Sequence, residues 1–134
     1  MVVARTLMLT AVAAEALAGF LPWVRSGRRE RTSFELIDAA RTLDVLDSGL
    51  ARGLAVAWYL VPLAAALCWL AVLLHFRRTA AVVAIAVGLL GVGLAFSIER
   101  APVASLAGVR ATLVAGVAVI AGAGIELMVE RRTT

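Results

Sequence analysis

Four long apolar segments, separated by shorter polar ones, run along the chain. They cover about residues 2–24, 54–74, 79–98 and 111–129. A helix of roughly 20 apolar residues crosses the hydrocarbon core of a bilayer, and each segment is apolar around its whole circumference, unlike a surface helix of a soluble protein. Because backbone polar groups in lipid must be paired within the segment, the pattern predicts an all-α fold. We expect an integral membrane four-helix bundle that forms a single membrane domain over residues 1–134.

The first apolar segment shares some features with a secretory signal. Arg5 precedes the apolar run, and Ala16-Leu17-Ala18 is spaced like a cleavage site. However, Arg5 is the sole basic residue before the run, and apolar residues continue to Trp23. The sequence therefore favours a retained first span over cleavage.

The polar segment 25–52, between spans one and two, predicts an amphipathic interfacial helix at about 33–48. Thr32 and Glu35 have the spacing of a capping box at its start, and Gly49 has the position that usually follows a helix end. Apolar side chains recur on one arc of this helix. We expect this face to lie on the membrane surface or to contact a partner. Its main residues are Leu36, Leu43, Leu46 and Leu50.

Composition narrows the class of protein further. Hydrophobic residues make up 63% of the chain and charged residues 16%, whereas soluble domains have about half and a quarter. These values exclude a disordered chain and disfavour a soluble enzyme. The single cysteine, Cys68, lies in an apolar segment and excludes a disulfide scaffold. All thirteen basic residues are arginine, which is typical of a GC-rich genome, so the basic charge does not predict a nucleic-acid partner.

Arginine counts leave the orientation open. Five arginines lie on the side of the termini and eight on the side of the long loop, so the count alone places that loop in the cytoplasm. The acid-free Arg77-Arg78 turn favours the opposite orientation, since the long loop mixes its arginines with carboxylates. We adopt cytoplasmic termini as the working expectation. Trp23, Trp58 and Tyr59 are expected to form an aromatic belt at the loop side.

Glu15 is the polar residue that most needs an explanation. It lies near the middle of span one, where an ionised carboxylate costs several kcal/mol unless it is paired or hydrated. One interpretation is a proton, cation or partner site. The favoured alternative is a protonated side chain that is bonded inside the bundle or faces another subunit.

Arg5 and Glu126 form a candidate structural ion pair. In an up-down bundle, the start of span one and the end of span four lie at the same depth, which brings these two side chains together. Such a pair would tie two helices and would have no catalytic role.

Small residues on spans three and four have the spacing of close helix contacts. Small residues four apart allow backbones to approach and drive association in lipid. Such intervals separate Ala80, Ala84 and Gly88 on span three, and Gly108, Thr112 and Gly116, and also Ala118 and Gly122, on span four. The glycines expected at helix contacts are Gly88, Gly91, Gly116 and Gly122. Packing within the bundle is favoured, and a homodimer face is the open alternative.

The loop after span one begins with a cluster of arginines. These side chains suit charge-assisted hydrogen bonds to anionic lipid headgroups; a solvated charge cluster is the equally weighted alternative. The residues are Arg25, Arg28, Arg29 and Arg31.

No motif for catalysis or metal binding is present. The sequence has no paired cysteines, zinc-binding histidine motif or glycine-rich phosphate loop, and no serine or cysteine adjoins His75 in sequence. We therefore expect a protein that is not an enzyme, with no catalytic residue, no metal and no cofactor.

Two stretches around the first loop resemble a group of small membrane proteins. Leu21-Pro22-Trp23-Val24-Arg25-Ser26-Gly27 and Arg31-Thr32-Ser33-Phe34-Glu35-Leu36 are similar to sequences in uncharacterised small actinobacterial four-span integral membrane proteins. The resemblance implies a cell-envelope setting in a GC-rich Gram-positive organism, and it implies no activity.

A second resemblance concerns spans one and four. The stretch 11–19 around Glu15, and 116–122, are similar to helices one and four of the small multidrug resistance transporters. The resemblance implies that Glu15 binds substrate and protons alternately and that Gly116 and Gly122 pack a dimer. The chain departs from that family in its long first loop and in having Phe96 as the sole aromatic residue of span three.

The sequence thus favours a non-enzymatic protein of the cell membrane with several spans. We expect an accessory or scaffolding subunit of a cell-envelope complex that contacts anionic lipid. Its expected partners are membrane lipids and a larger membrane protein complex. The alternative is a proton-coupled exporter built on Glu15.

Overall fold

The computed structural model describes residues 2–44 and 48–133, which are mostly helical. Leu46, expected on the partner-facing surface, lies outside the described residues. The elements in chain order are α1 (Val2–Ala18), β1 (Pro22–Ser26), β2 (Arg29–Thr32), α2 (Ser33–Thr42), α3 (Gly49–Tyr59), α4 (Val61–Leu73), α5 (Arg77–Arg100), β3 (Ala104–Ser105) and α6 (Ala107–Thr133).

Two helices of the described chain, α5 and α6, are long and apolar enough to cross a membrane. Helices α3 and α4 pass the same test as a pair, but they are bent by 55° at Leu60, just before Pro62, which has no N–H to continue the helix. The expected continuous second span is therefore broken. Helix α1 has 17 residues and is about 25 Å long, shorter than a hydrocarbon core of roughly 30 Å. Four complete spans thus remain a prediction.

The first span ends earlier than expected, because residues 22–32 form a hairpin. Strands β1 and β2 pair antiparallel and are joined at Gly27, whose φ of +63° suits a residue without a Cβ. Strand β3 pairs with the other side of β1, giving the order β2-β1-β3. The all-α expectation is wrong to this extent. We call this sheet together with α2 the cap.

A bulge turns two consecutive side chains of β1 into the protein. The register shifts between Pro22 and Val24, so Trp23 and Val24 are both buried instead of alternating. The Trp23 indole N–H donates to the Ala18 carbonyl at 2.9 Å. A Cβ at position 108 would collide with the Trp23 ring, which explains Gly108.

The expected aromatic belt does not form as a lipid-facing ring. Trp23 and Trp58 are buried against each other, edge to face, with ring centroids 5.4 Å apart. Tyr59 is the exposed member of the three, and its hydroxyl donates to the Phe34 carbonyl at 3.2 Å. These rings fill the junction between the cap and the helices.

Helix α2 begins as predicted and ends early. The capping box is confirmed, since the Glu35 N–H donates to the Thr32 hydroxyl and the Glu35 carboxylate accepts from the Thr32 N–H at 2.9 Å. The helix ends at Thr42, and Asp44 follows in the left-handed region with a φ of 52°. Gly49 does not stop this helix: it is the first residue of α3, whose N-cap is Ser48.

Ser33 joins the cap to two helices. Its hydroxyl donates to the Gly19 carbonyl at 2.6 Å and accepts from the Trp58 indole N–H at 2.8 Å. Its backbone N–H also donates to the Gly19 carbonyl. One buried side chain thus connects the end of α1, the start of α2 and the end of α3.

Two ion pairs hold the opposite end of the bundle. The Arg5 guanidinium donates to the Glu126 carboxylate at 2.9 Å, so the predicted pair is present. The Arg78 guanidinium lies 3.2 Å from the Glu130 carboxylate, which sequence reasoning missed. Two carboxylates that lie one turn apart on α6 therefore bind arginines in the first turns of α1 and α5. Both of these helices run antiparallel to α6.

Replacing Ser33 should weaken the fold more than replacing an exposed serine. Ser33→Ala leaves the buried Trp58 N–H without a partner, so we expect a loss of about 1–3 kcal/mol in the free energy of unfolding. Ser97→Ala removes an exposed bond of 2.8 Å to the Gly93 carbonyl and should change stability by less than about 0.5 kcal/mol. Helical circular dichroism during unfolding in detergent measures both, and equal effects would contradict the role of Ser33.

Candidate functional site

Glu15 lies on the buried face of α1. The buried residues of this helix include Met8, Ala11, Glu15 and Ala18, at alternating intervals of three and four, which is the spacing of one helix face. The Glu15 side chain is 0% exposed. Helical periodicity therefore directs this carboxyl between α1 and its neighbours and away from the outer surface.

Two glycines make the space that the Glu15 carboxyl occupies. A Cβ on Gly91 of α5 would collide with the carboxyl, and one on Gly116 of α6 would come within 3.3 Å of its Oε1 atom. A Cβ on Gly116 would also lie 3.0 Å from the Gly88 carbonyl oxygen. The two helices therefore touch by their backbones beside Glu15.

The fourth glycine singled out in the sequence acts on the other side of α6. A Cβ on Gly122 would lie 2.9 Å from the Met8 backbone nitrogen. All four glycines thus face contacts between helices of one chain, which is the arrangement favoured over a dimer face.

Neither oxygen of the Glu15 carboxyl has a hydrogen-bond partner, and the buried Thr112 hydroxyl has none either. Glu15 and Thr112 both lie against Gly91, since the Thr112 Cγ2 atom would be 3.2 Å from a Cβ there. An ionised carboxylate without a partner in such a position is costly by several kcal/mol. The packing suits a neutral carboxylic acid, and exchange with water requires the three helices to separate.

The cap carries a second candidate site, a groove of about 430 Å³ between β2 and α2. Two guanidiniums, two carboxylates and the apolar side chains of Ala39 and Leu43 line it. Among the described residues, the structure records no ion pair between these four charges. We call this the cap groove; its lining residues are Arg29, Arg31, Glu35, Asp38, Ala39, Thr42 and Leu43.

Hydrogen bonding and charge keep the Glu35 carboxyl ionised. The backbone N–H of Thr32, then its hydroxyl and the guanidiniums of Arg29 and Arg31, lower the pKa of this carboxyl below its usual value. A lowered pKa means that the stabilisation from ionised Glu35 is present at neutral pH and is lost as pH falls through the folded-state pKa. The cap groove therefore keeps this negative charge at neutral pH.

The four arginines expected at lipid headgroups have different surroundings. Arg25 is paired with Glu30 across the hairpin at 2.8 Å, and Arg28 is exposed in the turn. Arg29 and Arg31 line the cap groove, and the buried Nε atom of Arg31 has no hydrogen-bond partner. The hairpin thus gives the four arginines different surroundings: Arg25 is paired with a carboxylate, Arg28 is exposed, and the other two line the cap groove.

The expected leucine face is divided as well. Leu36 packs against the buried cluster around Trp23 and Trp58. Leu43 and Leu50 are 73% and 75% exposed. The prediction of an amphipathic face along one continuous helix is therefore wrong. Leu36 packs in the core, whereas Leu43 and Leu50 are exposed where α2 ends and α3 begins.

Cys68 and the possible metal ligands do not form a further reactive site among the described residues. The Cys68 thiol is buried and donates to the Ala80 carbonyl at 3.6 Å. Within residues 2–44 and 48–133, no group of three or more histidine, cysteine or acidic side chains is placed to hold a metal ion.

Sequence reasoning missed the contacts of three residues that shape these sites. The spacing of Gly108, Thr112 and Gly116 indicates close helix packing, but it does not identify Trp23 and Gly91 as the neighbours of Gly108 and Thr112. The contacts of Ser33 and Gly108 exist because the cap forms. The sequence could have indicated the hairpin of the cap, because Ser26-Gly27 is a turn signal between two short stretches that are compatible with β-strands.

The chain matches no known family model, no curated protein and no solved structure. The two family resemblances therefore remain predictions. Its function is inferred from Glu15, the cap groove and the exposed leucines.

Adding a methyl group at Gly91 should separate the helices around Glu15. We expect Gly91→Ala to lower the free energy of unfolding by about 1–3 kcal/mol, because the Cβ collides with the carboxyl. Gly93→Ala in the same helix meets nothing within 4 Å and should be neutral or stabilising by up to about 1 kcal/mol.

A double variant tests whether the carboxyl itself is the obstacle. Glu15→Ala together with Gly91→Ala should cost less than the sum of the two single changes, since the first makes room for the second. Thermal unfolding of all four variants in one detergent gives the comparison. Strict additivity, or equal costs at positions 91 and 93, would contradict this packing.

Proposed function

We propose that the protein is a non-enzymatic accessory or scaffolding subunit of a membrane complex of the cell envelope. In this role the helices anchor the chain in the membrane, and the cap contacts lipid headgroups and a larger membrane protein. The two apolar helices α5 and α6 support the membrane location. We place the termini in the cytoplasm and the cap at the opposite surface.

One observation carries this proposal: the cap is firmly attached to the helices, and two leucines are exposed beside it, where α2 ends and α3 begins. Ser33 and Trp23 bond the cap to the end of α1. Leu43 follows the last residue of α2, and Leu50 lies in the first turn of α3; both are exposed. Large exposed apolar side chains at such a junction favour contact with a protein or a membrane surface.

The exposed arginines support contact with anionic lipid. Glu99 and Arg100 end α5 and Arg110 lies in the first turn of α6, so charges mark the level where the apolar helices meet the cap. Arg28 and Arg29 are exposed at this end of the molecule. Each arginine near an anionic surface contributes about 1 kcal/mol of attraction.

Serine at the two exposed leucines should release the partner. We expect the wild-type chain, extracted mildly from its own membrane, to carry a larger membrane protein in stoichiometric amount by native mass spectrometry. Leu43→Ser with Leu50→Ser should remove most of it, since an exposed leucine buried in an interface contributes about 1.5–3 kcal/mol.

The matched control lies at the opposite end of the bundle. Leu73→Ser with Leu74→Ser changes the same number of exposed leucines and should leave the partner bound. A wild-type chain that runs as a bare monomer or homodimer, or equal retention by both variants, would overturn the accessory role.

The alternative function is a proton-coupled exporter, and it rests on the enclosed Glu15 carboxyl. A carboxyl that is 0% exposed and has no hydrogen-bond partner suits a group that binds and releases a proton when helices move. Export requires α1 to separate from α5 and α6, so that substrate and water reach the carboxyl.

Glu15→Gln distinguishes the two functions. The exporter predicts that this change abolishes proton release on adding a cationic substrate to the purified protein, while Glu99→Gln on the exposed end of α5 leaves it intact. The accessory role predicts no substrate-induced release from either form. It also predicts that Glu15→Gln keeps partner binding, because a neutral amide replaces a neutral acid of nearly the same shape.

A further inference from the structure

We propose that the cap groove binds a zwitterionic headgroup that combines a phosphate with a primary ammonium, as in a phosphoethanolamine lipid. This inference rests on the proposed location of the cap at a membrane surface. It goes beyond general attraction to anionic lipid, because it assigns a ligand of both charges to one groove.

The charges of the groove are divided between its two walls. Strand β2 supplies the guanidiniums of Arg29 and Arg31, and α2 supplies the carboxylates of Glu35 and Asp38. Among the described residues, these opposite charges are not joined in ion pairs across the groove. A purely anionic ligand would meet two carboxylates, and a purely cationic ligand two guanidiniums. A ligand with both charges satisfies both walls.

The phosphate has donors on the β2 wall. The guanidiniums of Arg29 and Arg31 both line the groove, and among the described residues neither forms an ion pair with a carboxylate of the groove. Phosphate oxygens can accept charge-assisted hydrogen bonds from these side chains. Arginine binds phosphate especially well because its planar donors match the oxygens.

The ammonium has acceptors on the α2 wall. Glu35 uses one oxygen to accept from the Thr32 N–H and keeps its negative charge because its pKa is lowered. Asp38, one turn further along α2, is exposed. A primary ammonium donates three hydrogen bonds, whereas a trimethylated one donates none, so these carboxylates favour the former.

The apolar residues that line the groove are consistent with a lipid ligand. Ala39 and the exposed Leu43 continue the groove with apolar surface, against which the carbon atoms next to the phosphate can pack. Strand β3, which lies between α5 and α6 in the chain, pairs with β1 of the cap. This pairing places the cap at the end of these helices, where headgroups would be found beside them.

The test measures lipid binding to the purified full chain in detergent by native mass spectrometry. Short-chain phosphatidylethanolamine, phosphatidylcholine and phosphatidylglycerol are titrated separately. We expect the first to bind roughly tenfold more tightly than the other two, which corresponds to one charge-assisted contact. Asp38→Asn should remove this preference, whereas Arg29→Gln should weaken the binding of all three lipids alike, because all three carry the phosphate. Both residues are exposed, so the fold is not at risk.

Matched controls change the same charges outside the groove. Arg41→Gln on α2 and Glu30→Gln on β2 change exposed residues that do not line the groove, and both should keep the preference. Equal binding of the three lipids, or a preference for phosphatidylglycerol that survives in Asp38→Asn, would overturn the zwitterionic site and leave the accessory role intact. Binding of none of the three lipids would overturn the membrane-surface location as well.

A soluble competitor identifies the source of the headgroup. Glycerophosphoethanolamine that displaces the lipid at equal concentration would indicate that a free zwitterion suffices, whereas weak displacement would indicate a lipid ligand. Both results support the headgroup chemistry; failure of glycerophosphoethanolamine to compete at any concentration, with the three lipids bound equally, would refute it.

Discussion

Helix α1 ends inside the protein, and the free carbonyl groups at its end need partners. The last carbonyl groups of a helix accept no hydrogen bond from the helix itself, and little water reaches them where the helix end is buried. Here Trp23 bonds to the Ala18 carbonyl, and the Ser33 backbone and hydroxyl both bond to the Gly19 carbonyl. The hairpin and α2 are held in place because they complete this helix end. The position of the cap groove follows from that attachment.

The two ends of the bundle are stabilised by different means. At the cap, neutral hydrogen bonds and an edge-to-face pair of aromatic rings connect four elements through Ser33, Trp23 and Trp58. At the other end, Glu126 and Glu130 of α6 attract arginines from α1 and α5. Between these ends, glycines remove side chains so that backbones meet around one buried carboxyl. Helix α6 takes part in all three arrangements and is the central element of the fold.

The sequence predicted features that depend on local chemistry or on helix depth. The Thr32 and Glu35 capping box follows from spacing, and the pair of Arg5 with Glu126 follows from the antiparallel arrangement of helices. The hairpin was missed because residues 19–24 are as apolar as the helix before them, so hydropathy alone reads them as one span. The surroundings of Glu15 were not predictable, since Thr112 and Gly91 meet it through tertiary packing that no periodicity reveals.

Partners that are distant in sequence determine the order in which the fold can be completed. Arg5 and Glu15 lie in the first helix to be synthesised, yet Glu126 is 121 residues further along and the glycines around Glu15 belong to α5 and α6. Strand β1 likewise pairs with β3, which is synthesised later. During translation α1 therefore emerges with an unpaired guanidinium and an unenclosed carboxyl. A chain interrupted before α6 therefore keeps the residues that bond the cap to α1 and α3. It lacks Glu126 and Glu130 for the ion pairs at the opposite end, and it lacks Gly116 beside the Glu15 carboxyl.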